Sequence, residues 1–120
     1  MIDHVGFEVA DLDRSRRFYD AVFFALGARR MFESEHATAY GINGPTIWFT
    51  VRGRPPGPGY GHLALSAAGT AAVDAAHAAG LAHGGADDGA PGMRPRYGRR
   101  YYAGYLRDPD GLRLEVVSHR

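Results

Sequence analysis

Residues 52–66 read RGRPPGPGYGHLALS, and the change of character inside this stretch decides how the rest of the chain is parsed. Residues 52–61 are rich in proline and glycine, which remove backbone donors and add conformational freedom, so this decapeptide reads as a linker. From His62 onward the pattern alternates, with His62, Ala64 and Ser66 on one side and Leu63, Leu65 and Ala67 on the other. That is a strand with one apolar face. A strand beginning straight after a linker suggests that a structural plan is starting again.

Upstream, the same plan is visible. IDHVGFEV (2–9) alternates Val5, Phe7 and Val9 against His4, Gly6 and Glu8. DLDRSRRFYDAVFFALGA (11–28) then reads as a helix of about four turns, with Asp11 as N-cap, Gly27 just past its end, and Phe18, Val22, Ala25 and Leu26 on one face. Phe24 points away from that face, toward a partner surface. Three strand candidates follow, ARRMF (28–32), ATAYG (37–41) and TIWFTV (46–51), with NGP (43–45) turning the chain before the last.

Downstream of the linker, GTAAVDAAHAAG (69–80) predicts a second helix ending at Gly80, LAHGG (81–85) a brief strand, and 84–100 a long irregular segment. YYAGYLR (101–107), the turn DPDG (108–111) and LRLEVV (112–117) complete a hairpin. The expectation is an α+β chain of 120 residues with two tandem βαβββ modules in one domain: module one at 1–51, linker at 52–61, module two at 62–120.

Composition removes several function classes. The formal charge is +1, too small to argue for nucleic-acid or membrane binding, and no apolar run is long enough to span a bilayer. Cysteine is absent, which rules out disulfides and thiolate zinc sites and suits a reducing cytoplasm. All 14 basic residues are arginine. Arg94, Arg96, Arg99 and Arg100 cluster in MRPRYGRR (93–100), which reads as a solvated loop in preference to an anion-binding flap.

The faces left over by the apolar pattern carry the chemistry. His4 and His62 each begin the first strand of a half, two residues before a small residue on the same face, Gly6 or Ala64. Glu115 lies in the last strand of the second half, and aligning Gly44 with Gly111 puts Trp48 at the equivalent place in the first. Two imidazoles and a carboxylate brought to one surface make a facial set for a divalent metal; the same residues on a solvated face would do nothing. Spacing alone does not decide between the two.

The stretch DHVGFEVADLDRSRRFYDAVFFALGA resembles the opening of the vicinal oxygen chelate superfamily, the glyoxalase, bleomycin-resistance and extradiol-dioxygenase group. GHLALS and YLRDPDGLRLEVV resemble that family's fifth strand and closing hairpin. The resemblance implies a cupped eight-stranded mixed sheet with helices on its outer face, and one divalent metal ion (Fe, Mn, Zn or Ni) held by His4, His62 and Glu115. It implies a small-molecule substrate that chelates the ion through neighbouring oxygens, and a homodimer, in which some relatives swap modules so that His4 serves the other chain. Glyoxalase I proper has a fourth ligand where this chain has Trp48, and an indole cannot coordinate as a carboxylate does. Three ligands are instead what extradiol dioxygenases and fosfomycin-resistance thiol transferases resemble, although no potassium-binding loop of the fosfomycin type is evident.

Around this set, Tyr105 is a candidate proton-transfer residue, ten positions before Glu115 across the hairpin. Trp48 is a candidate wall for a planar substrate, and Tyr97, Arg100 and Tyr101 belong to the segment that could close over the cup. His36, His77, His83 and His119 are expected to be hydrogen-bonded or solvated. The rival reading of the whole chain is a metal-free protein that sequesters an aromatic drug between Trp48 and the tyrosines.

Overall fold

A computed structural model describes all 120 residues. The first module comprises β1 (Val5–Glu8), α1 (Leu12–Ala25), β2 (Arg29–Glu33), β3 (Ala37–Gly41) and β4 (Pro45–Thr50). The second comprises β5 (His62–Ser66), α2 (Thr70–Ala82), β6 (Ala86–Met93), β7 (Tyr102–Arg107) and β8 (Arg113–Ser118). The α+β class and the two tandem βαβββ modules are those the residue pattern required. The eight strands divide into two four-stranded mixed sheets, ordered β1-β4-β3-β2 and β5-β8-β7-β6. In both, the first strand runs parallel to the last and the other pairings are antiparallel.

The elements form for local reasons. Asp11 caps α1, its side chain accepting from the Arg14 backbone N–H at 3.1 Å, and Gly27 leaves the helix at φ +80°, where a β-carbon is disfavoured. The stripe Leu12, Ser15, Phe18, Tyr19, Val22 and Phe23 is buried, whereas Phe24 is 84% exposed on the opposite side.

Two expectations from the second half are corrected. Helix α2 does not stop at Gly80 but runs to Ala82, so LAHGG contributes helix and turn and no strand. Gly80 is a contact residue: a β-carbon there would meet Leu106 Cδ1 at 2.6 Å and Phe18 Cε1 at 3.1 Å. The segment 84–100 is not irregular throughout, because Ala86–Met93 is an eight-residue edge strand paired with β7. Its register shifts between Asp87 and Gly89 and again between Gly89 and Gly92, which is how a strand accommodates Gly89, at φ +146°, and Pro91.

Both modules share one core. Phe18, Tyr19, Val22, Tyr40 and Phe49 from module one lie in a single buried cluster with Leu65, Val73, Leu106, Leu114 and Val116 from module two. Helix α1 packs against α2, while no strand of one sheet pairs with a strand of the other. The modules are therefore joined through their helices, and the sheet faces opposite those helices are separate surfaces of the chain.

A polar latch completes the junction. In the DPDG turn, Asp108 Oδ1 accepts from the N–H groups of Asp110 and Leu112, each at 2.9 Å, and its other oxygen accepts from the Tyr19 hydroxyl at 2.5 Å. Burial pushes the Tyr19 phenol well above its ordinary value, and burial also raises Asp108 despite those donors. Asp110 reaches back to Arg14 at 2.8 Å and to the Ala10 N–H at 3.1 Å.

Candidate active site

Strand register brings the second module's chemistry together. Ala64, Glu115 and Tyr105 are direct partners across β5, β8 and β7, and His62 partners Arg113 one step along. Because side chains alternate along each strand, His62, Arg113, Glu115 and Tyr105 all stand on the face opposite α2. Leu63, Leu65, Leu114, Val116 and Leu106 take the helix face.

On the open face Glu115 is almost fully enclosed, at 2% exposure. Its Oε1 lies 3.0 Å from His62 Nε2, and its Oε2 accepts from the Tyr101 hydroxyl. A buried carboxylate needs such partners, since stripping its water without replacement is costly. Hydrogen bonding to Glu115, aided by burial, pushes the Tyr101 phenol up to about 12. Burial, with the Glu115 charge second, raises Tyr105 as well. At neutral pH both phenols are held as proton donors.

These residues line a cavity of about 520 Å³, a size that suits a small molecule. Arg113 lies over the Tyr105 ring, 4.3 Å from its centroid, and Arg94 flanks the same ring at 5.6 Å. Arg113 also pairs with Asp88 at 2.9 Å. Tyr97, Arg96 and Gly89 close the rim. Behind the sheet, His77 Nε2 lies 3.0 Å from Asp87 and 3.2 Å from the Tyr105 carbonyl, a hydrogen-bonded helix histidine as the pattern suggested.

Of the residues singled out by sequence, the structure gathers His62, Glu115, Tyr97, Tyr101 and Tyr105 around one cavity. His4, Trp48 and Arg100 are not among its lining residues. His4 precedes β1, largely exposed, with Nδ1 2.7 Å from Asp3. Trp48 stands on β4 beside Gly6 and packs on Phe32 at 5.0 Å between ring centroids. Arg100 is exposed. Within one chain no group of three His, Cys, Asp or Glu side chains is placed to hold a metal.

The register does bear out the internal alignment. Gly6 partners Trp48 as Ala64 partners Glu115, so Trp48 is the first-module counterpart of Glu115, whereas His4 falls just before β1 and does not open the strand as His62 does. Sequence reasoning missed Arg94, Arg96, Arg113 and Asp88 as lining residues. Arg113 was findable, since two residues before Glu115 on a strand means the same face. Arg94 and Arg96 carried a signal in their clustering, but only the hairpin geometry separates them from Arg99 and Arg100.

The profile of the Glyoxalase/Bleomycin resistance protein/Dioxygenase superfamily matches residues 1–116. The chain belongs to this superfamily. Among solved structures similar to this superfamily member is a glyoxalase/bleomycin resistance protein from Albidiferax ferrireducens, with 33% identity and TM-score 0.86, covering 97% of this chain and 96% of that one. A glyoxalase-related enzyme from Fulvimarina pelagi has 23% identity and TM-score 0.78, over 98% of this chain and 87% of that one. A lactoylglutathione lyase from Agrobacterium tumefaciens shares the fold at 21% identity and TM-score 0.70, over 98% and 92% of the two chains. No curated protein matches the chain. No helix is long and apolar enough to cross a membrane.

Proposed function

We propose that this superfamily member is a divalent-metal-dependent enzyme that acts on a small molecule offering two neighbouring oxygens to the ion. The observation that carries the reading is the buried Glu115 carboxylate facing His62 Nε2 at 3.0 Å on the wall of an open cavity. An imidazole nitrogen and a carboxylate oxygen that approach so closely are suited to sharing a cation between them. Two donors do not complete a site, and nothing else in the chain joins them. The third donor in this reading is His4 of a second copy, because His4, two residues before Gly6, stands in module one where His62, two residues before Ala64, stands in module two, and no residue of its own chain joins it to His62 and Glu115. The homodimer is thus part of the proposal.

In such a site the ion, Fe, Mn, Zn or Ni, supplies Lewis acidity that stabilises negative charge developing on the substrate oxygens. The chain's own residues supply the rest. Tyr101 donates to Glu115 and so orients the carboxylate. Tyr105, directly across from Glu115 and held protonated, is the proton donor to a substrate oxygen. With Trp48 where a fourth ligand would stand, the carboxylate-assisted isomerisation of glyoxalase I proper is disfavoured.

A complementation experiment tests this directly. His62→Ala and His4→Ala chains should each lose tight metal binding. A refolded equimolar mixture should recover about a quarter of the wild-type sites, since half the dimers are mixed and each of those carries one intact site. Unchanged metal binding in His62→Ala would end the reading.

A further inference from the structure

The cavity beside Glu115 carries more positive charge than its carboxylates neutralise. Asp88 is committed to Arg113 at 2.9 Å and to Arg107 at 3.2 Å, and Glu115 to His62 and Tyr101. That leaves Arg94 and Arg96 on the cavity wall with no carboxylate partner of their own. Arg94 spends one N–H on the Ala90 carbonyl at 2.7 Å, and its Nε has no acceptor at all. The Arg96 guanidinium lies 4.9 Å over the Tyr97 ring and makes no hydrogen bond.

Stacking on a ring occupies the face of a guanidinium and leaves its N–H edge free for an acceptor in the same plane. Both arginines reach the cavity from an ordered connection between β6 and β7, where the Arg94 N–H donates to the Tyr101 carbonyl at 2.7 Å and the Tyr97 N–H to the Arg94 carbonyl at 2.9 Å. This is a positioned pair, unlike Arg99 and Arg100 of the same run, which do not line the cavity.

We infer that Arg94 and Arg96 are specificity-determining residues that bind an oxyanion of the substrate, so that the molecule accepted here is a small carboxylate or phosphate. Placing the substrate next to Glu115 rests on the metalloenzyme reading; binding of an anion by the arginine pair does not. Charge-assisted, edge-on hydrogen bonds to such a group discriminate strongly against a neutral molecule of the same shape.

The test uses metal-free protein, prepared by chelation and dialysis, followed by amide NMR during titration with oxalate, with its uncharged isostere oxamide, and with inorganic phosphate. Oxalate or phosphate should shift the amide resonances of residues 94 and 96–101 and bind at least about tenfold more tightly than oxamide. Whichever of the two binds more tightly assigns carboxylate or phosphate as the recognised group. Arg94→Gln/Arg96→Gln should weaken the anion about tenfold or more, while Arg52→Gln/Arg99→Gln, which removes the same charge from outside the cavity, should change it less than about twofold. Should the double variant misfold, Arg96→Gln alone, at an exposed position, should still weaken binding severalfold.

Equal binding of oxalate and oxamide, or equal losses in the two double variants, would overturn the inference. Because no metal is present, anion binding that survives in a protein unable to take up metal would refute the metalloenzyme reading and leave this one standing. Metal uptake without anion binding would do the reverse.

Discussion

The two modules share a strand order and a register, yet the faces they turn away from their helices differ in kind. Module one presents Trp48 against Phe32 at the position where module two presents Glu115 between His62 and Tyr101. On the helix side the two agree, since Phe49 and Tyr40 fill the same continuous core as Leu114, Val116 and Leu106. The backbone plan is thus carried by the face that must exclude water, and the open face is free to diverge. A tight core constrains residue volume at each position, whereas an open face constrains only solubility and whatever chemistry it performs.

The largest effect expected from this asymmetry is on metal affinity. With Glu115 as the anionic ligand of the proposed site, Glu115→Gln should lower it at least about a hundredfold by titration calorimetry, whereas Trp48→Phe at the equivalent position should change it less than about twofold. Equal effects would mean that the two faces are not functionally distinct.

Next come the contacts that join the modules. Gly80→Ala forces a methyl group into Leu106 and Phe18 and should cost about 1–3 kcal/mol in urea unfolding. Tyr19→Phe takes away the hydroxyl that serves Asp108 Oδ2 in the other module and should cost about 1–2 kcal/mol. If either variant unfolded in two separate transitions, the modules would prove to be independent units joined only loosely.

A smaller effect belongs to the Tyr101–Glu115 pair. Tyr101 has its folded-state value raised from 10.0 to about 12, so its contribution is fully present below pH 10 and is lost as pH rises from there toward 12. Wild-type stability should therefore fall more steeply over that interval than that of Glu115→Gln, measured by urea unfolding at stepped pH. The smallest effect is expected at Phe24, 84% exposed on α1, where Phe24→Ser should leave the stability of the chain within about 0.5 kcal/mol.

Legibility in the sequence followed the strength of the local signal. Helix α1 was readable end to end because Asp11 and Gly27 mark its limits and Phe18 and Val22 its buried stripe. Strand β6 was not, because ADDGAPGM has the composition of a turn and becomes a strand only by pairing with β7 through two register shifts. Gly80 misled in the same way, since glycine at a helix end and glycine at a helix crossing look identical in one dimension. On the open face, the common side of His62 and Glu115 was readable from alternation and that of Tyr105 from the hairpin, while a role for them came only from the family resemblance. Arg94 and Arg96 were not, because a run of arginines says nothing about which guanidiniums a turn will aim inward.

The repeated strand–helix–strand plan, the split of each strand into a core face and an open face, and the residue types on the open face are written in the order of the residues. All of these follow from periodicity and side-chain chemistry, which are local. It took folding in three dimensions to settle that the modules join through α1 and α2, that the strands form two sheets, and that His62 and Glu115 meet in a tyrosine- and arginine-lined cavity apart from His4. The joining of the modules and the meeting of His62 with Glu115 depend on packing between residues far apart in the chain, such as Phe18 against Gly80 and Tyr19 against Asp108, and no local pattern records which distant partner a surface will choose.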